Sequence, residues 1–448
     1  MSKGINRRKF LKQTAAGAGL VILSGSASVR AYAANEKLNF AFVATGGRGE
    51  AHLGLGQSNA CVALCDVDLT CTEKAKQMFP DAKVYQDYRK MFDEMHSKID
   101  AVVVATPDHQ HAPAATRALS LGKHVYCEKP LTWCIHEARV MAEMTRKMKV
   151  ATQMGNQGHA NQGNRRVVEW IRDGAIGDVK EVHTWTDRPV WPQGYSKLPP
   201  KKDVPGTLDW NCWIGGATYC ERRDHMHPFQ WRGWLDYGAG TIGDMGCHTW
   251  DCVWWSLQPE APISAEVVKV AGRNRITHPE SVIYRWKFGP NDWRPGFTAY
   301  WYSKPWKPPV PEEIMNDPYY TKKELSGSGS IFIGTKGKLY VAGDYGDSPR
   351  LIPESFMQSY KQPERMEPSP GHHREFVMAA KGEKPWDYPK SNFTYAGPLV
   401  EAVLLPIVAL KIGRKVYWDA ENCRVKNDSK ANRFVRREYR KGWEIVTA

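Results

Sequence analysis

Between Leu38 and Met154 the apolar residues come in short unbroken runs separated by mixed, helix-competent stretches. Leu38–Val43, Cys61–Cys65, Ile99–Ala105, His124–Cys127 and Val150–Met154 each read as a strand covered on both faces, since a half-exposed strand would alternate apolar with polar residues. Glu50–Gln57, Glu73–Phe79, Pro113–Leu121 and Ile135–Lys147 read as the helices between them. Strands alternating with helices predict an α/β fold with a parallel, doubly wound sheet of the Rossmann type, whose ligands gather at the carboxyl ends of the strands. Further along, Ala265–Val270, Ser281–Phe288, Phe297–Tyr302 and Ser330–Val341 alternate as strands, and Pro398–Ile412 predicts an apolar helix. The Pro-rich stretches Pro189–Pro205 and Pro305–Pro318 read as functional or oligomer-contact loops, because strand-like segments resume after each. No internal repeat is visible.

The first 33 residues follow a different pattern. Asn6-Arg7-Arg8-Lys9-Phe10-Leu11-Lys12 precedes an uncharged, Ala- and Gly-rich stretch and then Ala31-Tyr32-Ala33. A charged segment, a weakly apolar segment and a small-x-small site are the parts of a secretory signal. The arginine pair resembles a twin-arginine signal, implying the twin-arginine export machinery, cleavage after Ala33 and a periplasmic or otherwise exported protein. A retained membrane helix is disfavoured, because the apolar part is shorter than the ~20 residues a bilayer needs. Later in the chain, Leu399–Ile412 carries Glu401 and Pro406, so the mature form should have no membrane span.

With 448 residues the chain has room for more than one domain. The organisation expected is a signal at 1–33, a nucleotide-binding domain at 34–157 and a substrate and oligomerisation domain at 158–448. The formal charge of +14 invites a nucleic-acid reading, but six of the 62 basic residues and none of the 48 acidic ones lie in the first 33 positions. The remainder carries only +8, with no basic run interleaved with aromatics, so nucleic acid is not expected as a partner. The ten cysteines include no C-x-x-C pair, which removes zinc-ribbon chemistry. Buried free thiols are the default, and Cys212 with Cys220 is the pair to check for a bridge.

The candidate chemistry sits where the predicted strands end. Leu38–Val43 runs into Ala44-Thr45-Gly46-Gly47-Arg48-Gly49, which has the G-x-G-x-x-G shape with alanine first, and the second strand ends at Asp66, twenty residues after Gly46. The glycines allow close approach of a pyrophosphate, the helix start supplies N–H donors, and Asp66 is placed to accept ribose hydroxyls. Asp66 favours NAD over NADP, although Arg48 keeps NADP open and Asp68 is a rival for the ribose. Thr106-Pro107 with His111, Glu128-Lys129-Pro130, and Asn156 follow the next three strands and complete the expected cofactor-binding set.

From the glycine loop through Thr106-Pro107…His111 and Glu128-Lys129-Pro130 to Gly240-Thr-Ile-Gly-Asp244-Met-Gly-Cys-His248, four motifs in order resemble the Gfo/Idh/MocA oxidoreductases, the glucose–fructose oxidoreductase and inositol dehydrogenase family. The resemblance implies a second α/β domain with an open, mostly antiparallel sheet, a lysine of the Glu-Lys-Pro tripeptide beside nicotinamide and substrate, and subunits paired as a dimer or tetramer. Hydride transfer from an alcohol requires a proton acceptor and a positive group near the developing alkoxide. His248 is the candidate acid/base, Lys129 the electrostatic partner and Asp244 the orienting group. Roles within the trio stay open, because a desolvated lysine can itself act as base. His225, His227, Asp244, His248 and Asp251 could supply metal ligands, but no tight ligand signature is present and no metal is expected. His372-His373 reads as a surface or cap pair.

Of the 18 tryptophans, 14 fall between Trp170 and Trp306. Flat aromatic faces suit sugar rings and arginine or aspartate forks suit hydroxyls, so a small carbohydrate is the expected substrate, with His227, Trp231, Arg232 and Tyr237 as candidate pocket residues. An exported enzyme has no free nicotinamide pool, so the cofactor should stay tightly bound. The reading is an exported NAD(P)-dependent oxidoreductase acting on a sugar or glycoside hydroxyl. A redox-neutral glycoside hydrolase or lyase, working by oxidation, β-elimination, hydration and re-reduction, is the alternative, and a non-catalytic carbohydrate-binding protein is the second.

Overall fold

The computed structural model describes residues 37–363 and 365–447, so the proposed signal segment lies outside the described residues. Six parallel strands form the first sheet: β1 (Asn39–Val43), β2 (Ala60–Cys65), β3 (Lys83–Tyr85), β4 (Ala101–Val104), β5 (His124–Cys127) and β6 (Thr152–Met154), in the order β3-β2-β1-β4-β5-β6. That order reverses direction between β1 and β4, which opens a ligand crevice at their carboxyl ends. Alternate residues of β1 explain its unbroken apolar run. Phe40 and Phe42 pack toward Leu64, Tyr126 and Phe376 on one face, while Ala41 and Val43 face the helix layer carrying Ala115 and Met141 on the other. Burying each phenylalanine contributes about 1.5–3 kcal/mol.

Helices at Asp108–Ser120 and Ile135–Met148 cover one face. The helix expected over Glu50–Gln57 divides into a 3-10 turn at Gly49–His52 and a short helix at Gly54–Ser58, since three glycines in these ten residues do not sustain a longer one. β3 is too short to carry a periodic signal, whereas the helix Tyr88–Met95, outside the expected elements, buries Tyr88, Met91, Phe92 and Met95 at the i, i+3, i+4, i+7 spacing of an amphipathic helix.

The second sheet has nine strands: β7 (Val179–Thr186), β8 (Pro262–Ala271), β9 (Ser281–Phe288), β10 (Phe297–Ser303), β11 (Gly329–Gly334), β12 (Lys338–Ala342), β13 (Ser348–Ile352), β14 (Val416–Asp419) and β15 (Arg424–Val425). Their order is β13-β12-β11-β7-β10-β9-β8-β14-β15, antiparallel except where β10 meets β7. The single strand expected at Ser330–Val341 is a hairpin, because Gly334-Thr-Lys-Gly337 turns the chain and Gly334 N donates to Gly337 O at 2.9 Å.

Trp250, Trp286 and Trp301 are buried in the core beneath this sheet, and Trp286 Nε1 donates to Ala402 O at 2.9 Å. That carbonyl belongs to Phe393–Ile412, which packs both on Ile135–Met148 and on β8 and β9. Among the described residues this is the one helix long and apolar enough to cross a membrane, and it is buried in the core. Its Glu401 takes two bonds from Arg139 at 2.7 and 2.9 Å and one from Trp418 Nε1 at 2.6 Å. The helix His372–Ala380 likewise returns to the first sheet through Phe376.

His372-His373 is not a surface pair. His372 is buried with Nε2 2.8 Å from Met154 O, and His373 Nε2 lies 2.9 Å from His52 Nδ1. Cys212 and Cys220 are both free thiols: Cys212 is buried, and Cys220 Sγ sits on Glu221 O at 3.2 Å.

Candidate active site

A cavity of about 610 Å³ opens at the carboxyl end of the first sheet, where the strand order reverses. Ala44, Gly46, Gly47 and Arg48 form one end of its wall, with Asp66 below them. The glycine turn is held by its own bonds: Ala44 N donates to Cys65 O at 2.8 Å and Gly49 N to Gly46 O at 3.0 Å. A side chain at Gly49 would place Cβ 2.3 Å from Ala44 O, so only glycine lets the turn close. Gly47 lies at φ +53° with open space where a side chain would stand. The turn thus presents free backbone to the cavity, as a bound pyrophosphate requires.

Ala44 departs from the glycine pattern at a position where φ is +74°, a left-handed conformation that disfavours a Cβ. Asp66 Oδ2 accepts from Thr45 N at 2.9 Å and Gly46 N at 3.3 Å, and Asp68 N donates to Oδ1 at 3.0 Å. Burial pushes this carboxyl up, against those three donors. Asp66 therefore braces the turn while lining the cavity. Asp68 is engaged elsewhere: it caps the turn at Leu69–Thr72 through Thr70 N and lies 2.9 Å from His227 Nε2. Burial pushes this carboxyl up, but the His227 and Thr70 bonds outweigh it and hold Asp68 below the usual carboxylate range.

Glu128, Lys129 and Asp244 form the centre of the wall. Glu128 Oε1 meets Arg48 Nε at 3.0 Å and His52 Nε2 at 2.9 Å, and its Oε2 accepts from Lys129 N at 3.1 Å. Although burial opposes ionisation, these partners hold Glu128 far below the usual carboxylate range. Gly155 at the end of β6 makes room for it, since a Cβ there would stand 2.4 Å from Oε1. Lys129 Nζ donates to Asp244 O at 2.7 Å and Oδ1 at 2.9 Å. Burial alone would strip its charge, but Asp244 and Glu128 outweigh burial and raise it. Burial likewise opposes ionisation of Asp244, yet Lys129 and Arg232 bring it down to about 2. The result is a fixed ammonium–carboxylate pair.

Beyond that pair the wall is aromatic. Arg232 stacks over Phe229 at 4.4 Å and Trp231 at 4.3 Å, and its Nε reaches Asp244 Oδ1 at 3.4 Å. Trp213, His227 and Pro228 continue the surface.

Of the predicted residues, Ala44, Gly46, Gly47, Arg48, Asp66, Thr106, Pro107, Glu128, Lys129, Asp244, His227, Trp231 and Arg232 meet on this wall. Five predicted residues lie behind it. Gly49 is buried beneath the turn. His111 ties two loops together, with Nδ1 2.7 Å from Pro130 O and Nε2 2.8 Å from Thr106 O. Asn156 Oδ1 accepts from Ser391 Oγ at 2.5 Å. Tyr237 is packed among Trp213, Trp234 and His109. His248 is buried against Tyr345, ring centroids 4.8 Å apart, and Nδ1 has no partner among the described residues. Burial and the Lys129 charge push His248 down to about 3. The i, i+4 spacing of Asp244 and His248 makes them neighbours on Gly240–Thr249, but no bond joins them because Lys129 occupies the carboxylate.

Four of the five residues of the metal reading are claimed by separate partners, and the fifth, His248, packs against Tyr345. His225 goes to Gln230, His227 to Asp68, Asp244 to Lys129 and Asp251 to His159, and no metal-holding cluster occurs among the described residues.

Two features went unread in the sequence. Asp108, the first residue of its helix, lines the cavity beside Pro107. The other is a strap: residues 207–227 cross the loop after β2. Leu69 N donates to Thr207 O at 3.0 Å, Asp209 N to Val67 O at 2.8 Å, and Gln86 Nε2 to Val67 O and Thr207 O at 2.9 and 3.0 Å.

A Rossmann sheet with this turn, an acid ending β2 and a second antiparallel sheet defines a dinucleotide-dependent oxidoreductase fold. Residues 38–156 match the oxidoreductase family with NAD-binding Rossmann fold, and 174–288 match that family's C-terminal alpha/beta domain. The chain belongs to the Gfo/Idh/MocA oxidoreductase family.

An inositol 2-dehydrogenase of Salmonella typhimurium is 28% identical over 124 residues, 27% of this chain and 36% of that one. A glycosyl hydrolase family 109 protein of Shewanella putrefaciens is 26% identical over 204 residues, 39% of this chain and 44% of that one. The chain thus spans less than half the length of these curated relatives. The WlbA dehydrogenase of Bordetella pertussis, solved with NADH and UDP-GlcNAcA, superposes with a TM-score of 0.59 at 18% identity, covering 86% of this chain and 99% of that one.

Proposed function

We propose that the protein is an exported oxidoreductase that uses a captive NAD to oxidise a hydroxyl of a sugar or glycoside. The observation that carries this reading is the Lys129–Asp244 pair, 2.9 Å apart, sharing one cavity with the glycine turn and with Trp231, Phe229 and Arg232. Bound nicotinamide would supply the hydride acceptor. Lys129 then places a permanent positive charge where an alkoxide develops, and the stacked Arg232 and Trp231 offer hydroxyl donors and a flat face to a ring. Dehydrogenase relatives that act on inositol, and a structural neighbour holding a nucleotide sugar, support a polyhydroxylated substrate.

Tight retention is supported by the strap. His227 and the backbone of 207–209 bond to the loop carrying Asp68, next to Asp66, so a dinucleotide seated on Asp66 would be overlain by the chain itself. The arginine pair near the amino terminus supports export, which calls for such a captive cofactor. Asp66 supports NAD over NADP, because a carboxylate repels a 2′-phosphate. We expect a homodimer or homotetramer.

The test is the nicotinamide content of extensively washed protein, followed by reduction of that cofactor by sugars and polyols. Near-stoichiometric NAD that turns to NADH is expected. Protein that is empty and binds no added NAD overturns the reading and leaves the non-catalytic carbohydrate-binding alternative. The glycosyl hydrolase relative favours a redox-neutral cycle as the second reading. Release of aglycone from an aryl glycoside without net NADH would establish that cycle instead.

A further inference from the structure

The hairpin joining β12 to β13 turns through Gly343-Asp344-Tyr345-Gly346-Asp347, a run of turn-forming residues except for its tyrosine. A turn of this kind needs no large aromatic side chain, and Tyr345 is not spent on the core, since 39% of it is exposed. Its ring instead meets His248 edge to face, with centroids 4.8 Å apart at 79°. His248, the candidate acid/base, lies one helical turn beyond Asp244, which accepts from Lys129 Nζ. The phenol is also close enough to act on the guanidinium of Arg48, which lines the cavity.

The hairpin tip is held there by the chain that leaves the first sheet. It seats on the turn Gln157–Ala160 and the helix Gln162–Arg172, both following β6. Asn161 Nδ2 and Asn164 Nδ2 each donate to Tyr345 O at 3.4 Å, and Asn161 Nδ2 also reaches Asp347 Oδ1. A Cβ at Gly158 would stand 2.7 Å from Tyr345 O, and one at Gly163 would stand 1.9 Å from Gly346 O. Only glycine at both positions lets the hairpin come this close. The backbone of Tyr345 is thus fixed while much of its side chain faces solvent.

We propose that Tyr345 is a substrate-binding residue of this site, the flat face on which a six-membered ring, a pyranose or a cyclitol, lies while one of its hydroxyls reaches Lys129 and His248. This assignment rests on the oxidoreductase reading and narrows it to substrates that carry a ring. Asp244 and His248 share one helix face. Arg232, stacked on Trp231, stands at Asp244, and Tyr345 stands at His248, so an aromatic group flanks each end of the pair. A sugar ring carries hydroxyls around its rim and C–H bonds on its faces, which suits a site with aromatic flanks and a charged centre. An open-chain polyol presents no such face. The tyrosine hydroxyl, as donor and acceptor, can bond to a hydroxyl of the same ring.

The experiment mixes full-length wild type, Tyr345→Phe, Tyr345→Leu and Tyr345→Ala rapidly with glucose, galactose and myo-inositol, and follows reduction of the bound cofactor over a range of concentration and pH. For the substrate that reduces wild type best, Tyr345→Ala and Tyr345→Leu should raise the half-saturating concentration about tenfold or more, equivalent to about 1.4 kcal/mol of lost contact. The limiting rate and its pH profile should stay near those of wild type. Tyr345→Phe keeps the flat face and should remain close to wild type in affinity. Tyr345→Leu keeps bulk over His248 and carries the test where the alanine variant does not fold. An unchanged half-saturating concentration in the folded variants overturns the assignment. So does a fall in limiting rate with a displaced pH profile in its place, which would show that the ring only shields His248. Failure of both variants to fold would make Tyr345 a structural prop and overturn it likewise. In each of these cases an active wild type leaves the oxidoreductase reading standing. A wild type inert with every substrate overturns that reading and this assignment together.

Discussion

Ala44 shows how one residue can satisfy a motif and strain it. The glycine pattern demands a left-handed residue where β1 ends, and the chain supplies alanine at φ +74°. Such a conformation costs an L-residue about 1–2 kcal/mol. Ala44→Gly should therefore raise stability by about 1 kcal/mol, net of glycine's greater freedom in the unfolded chain, and lift the melting temperature by a few degrees. A lower melting temperature would mean the methyl is packed to advantage. Lys129 makes the opposite case, a residue whose strain is electrostatic and serves the site. Lys129→Met should slow reduction of the bound cofactor about 100- to 1,000-fold, because the alkoxide loses its counter-charge, while nicotinamide content stays near that of wild type. Rapid mixing and acid extraction measure the two separately. At this scale much of the site was legible: the glycine turn, Asp66, Lys129, Asp244 and Arg232 all reached the cavity. Asp108 was passed over because a lone acid between Pro107 and His109 has no pattern, and its meaning comes from Ala239, 131 residues away in sequence.

Strands buried on both faces announce themselves by composition, and helices of three or more turns by periodicity. Hence β1, β2, β4 and β5 and the helix Ile135–Met148 were read within a residue or two, while the three-residue β3 and the β11–β12 hairpin were missed or merged. The strap was illegible for a different reason. Residues 189–227 are short of apolar periodicity, and what gives them form is a set of bonds to a loop more than a hundred positions earlier. His227, expected on substrate, lines the cavity and also sits 2.9 Å from Asp68, where both side chains are largely buried. Losing a hydrogen bond to a mostly buried carboxylate costs about 1.5–3 kcal/mol. His227→Ala should therefore loosen the strap and speed release of bound NAD about tenfold, read as nicotinamide remaining after timed dilution and gel filtration. Unchanged retention would place the latch in the backbone pairing at 207–209 alone. Asp68→Asn should weaken the same latch, and the two changes together should do little more than either one, since they remove one contact.

The whole molecule carries a pH sensitivity that no single motif declares. Burial pushes His109, His248 and His372 down to about 3 and His124, His278 and His373 to about 4. Each is neutral in the fold and would take up a proton in the unfolded chain below about pH 6.5. Their contribution is complete above that pH and is lost as the pH falls toward 4, at about 1.4 kcal/mol per pH unit for each net proton. Carboxyls raised by burial act in the opposite sense, because the folded form holds their protons longer. Asp108, Asp66 and Glu137 are of this kind, and three groups offset only part of six. Against a total stability of about 5–15 kcal/mol, the net loss is enough to unfold the protein well above the pH at which the Glu128 and Asp244 ion pairs begin to titrate. Urea midpoints followed by tryptophan fluorescence should be level from about pH 8 to 7 and fall steeply between about pH 6 and 4.5. A flat profile across that interval would show that these rings find partners for a second proton within the fold. Asp108→Asn should steepen the decline between about pH 7 and 4, because it removes one of the three opposing groups.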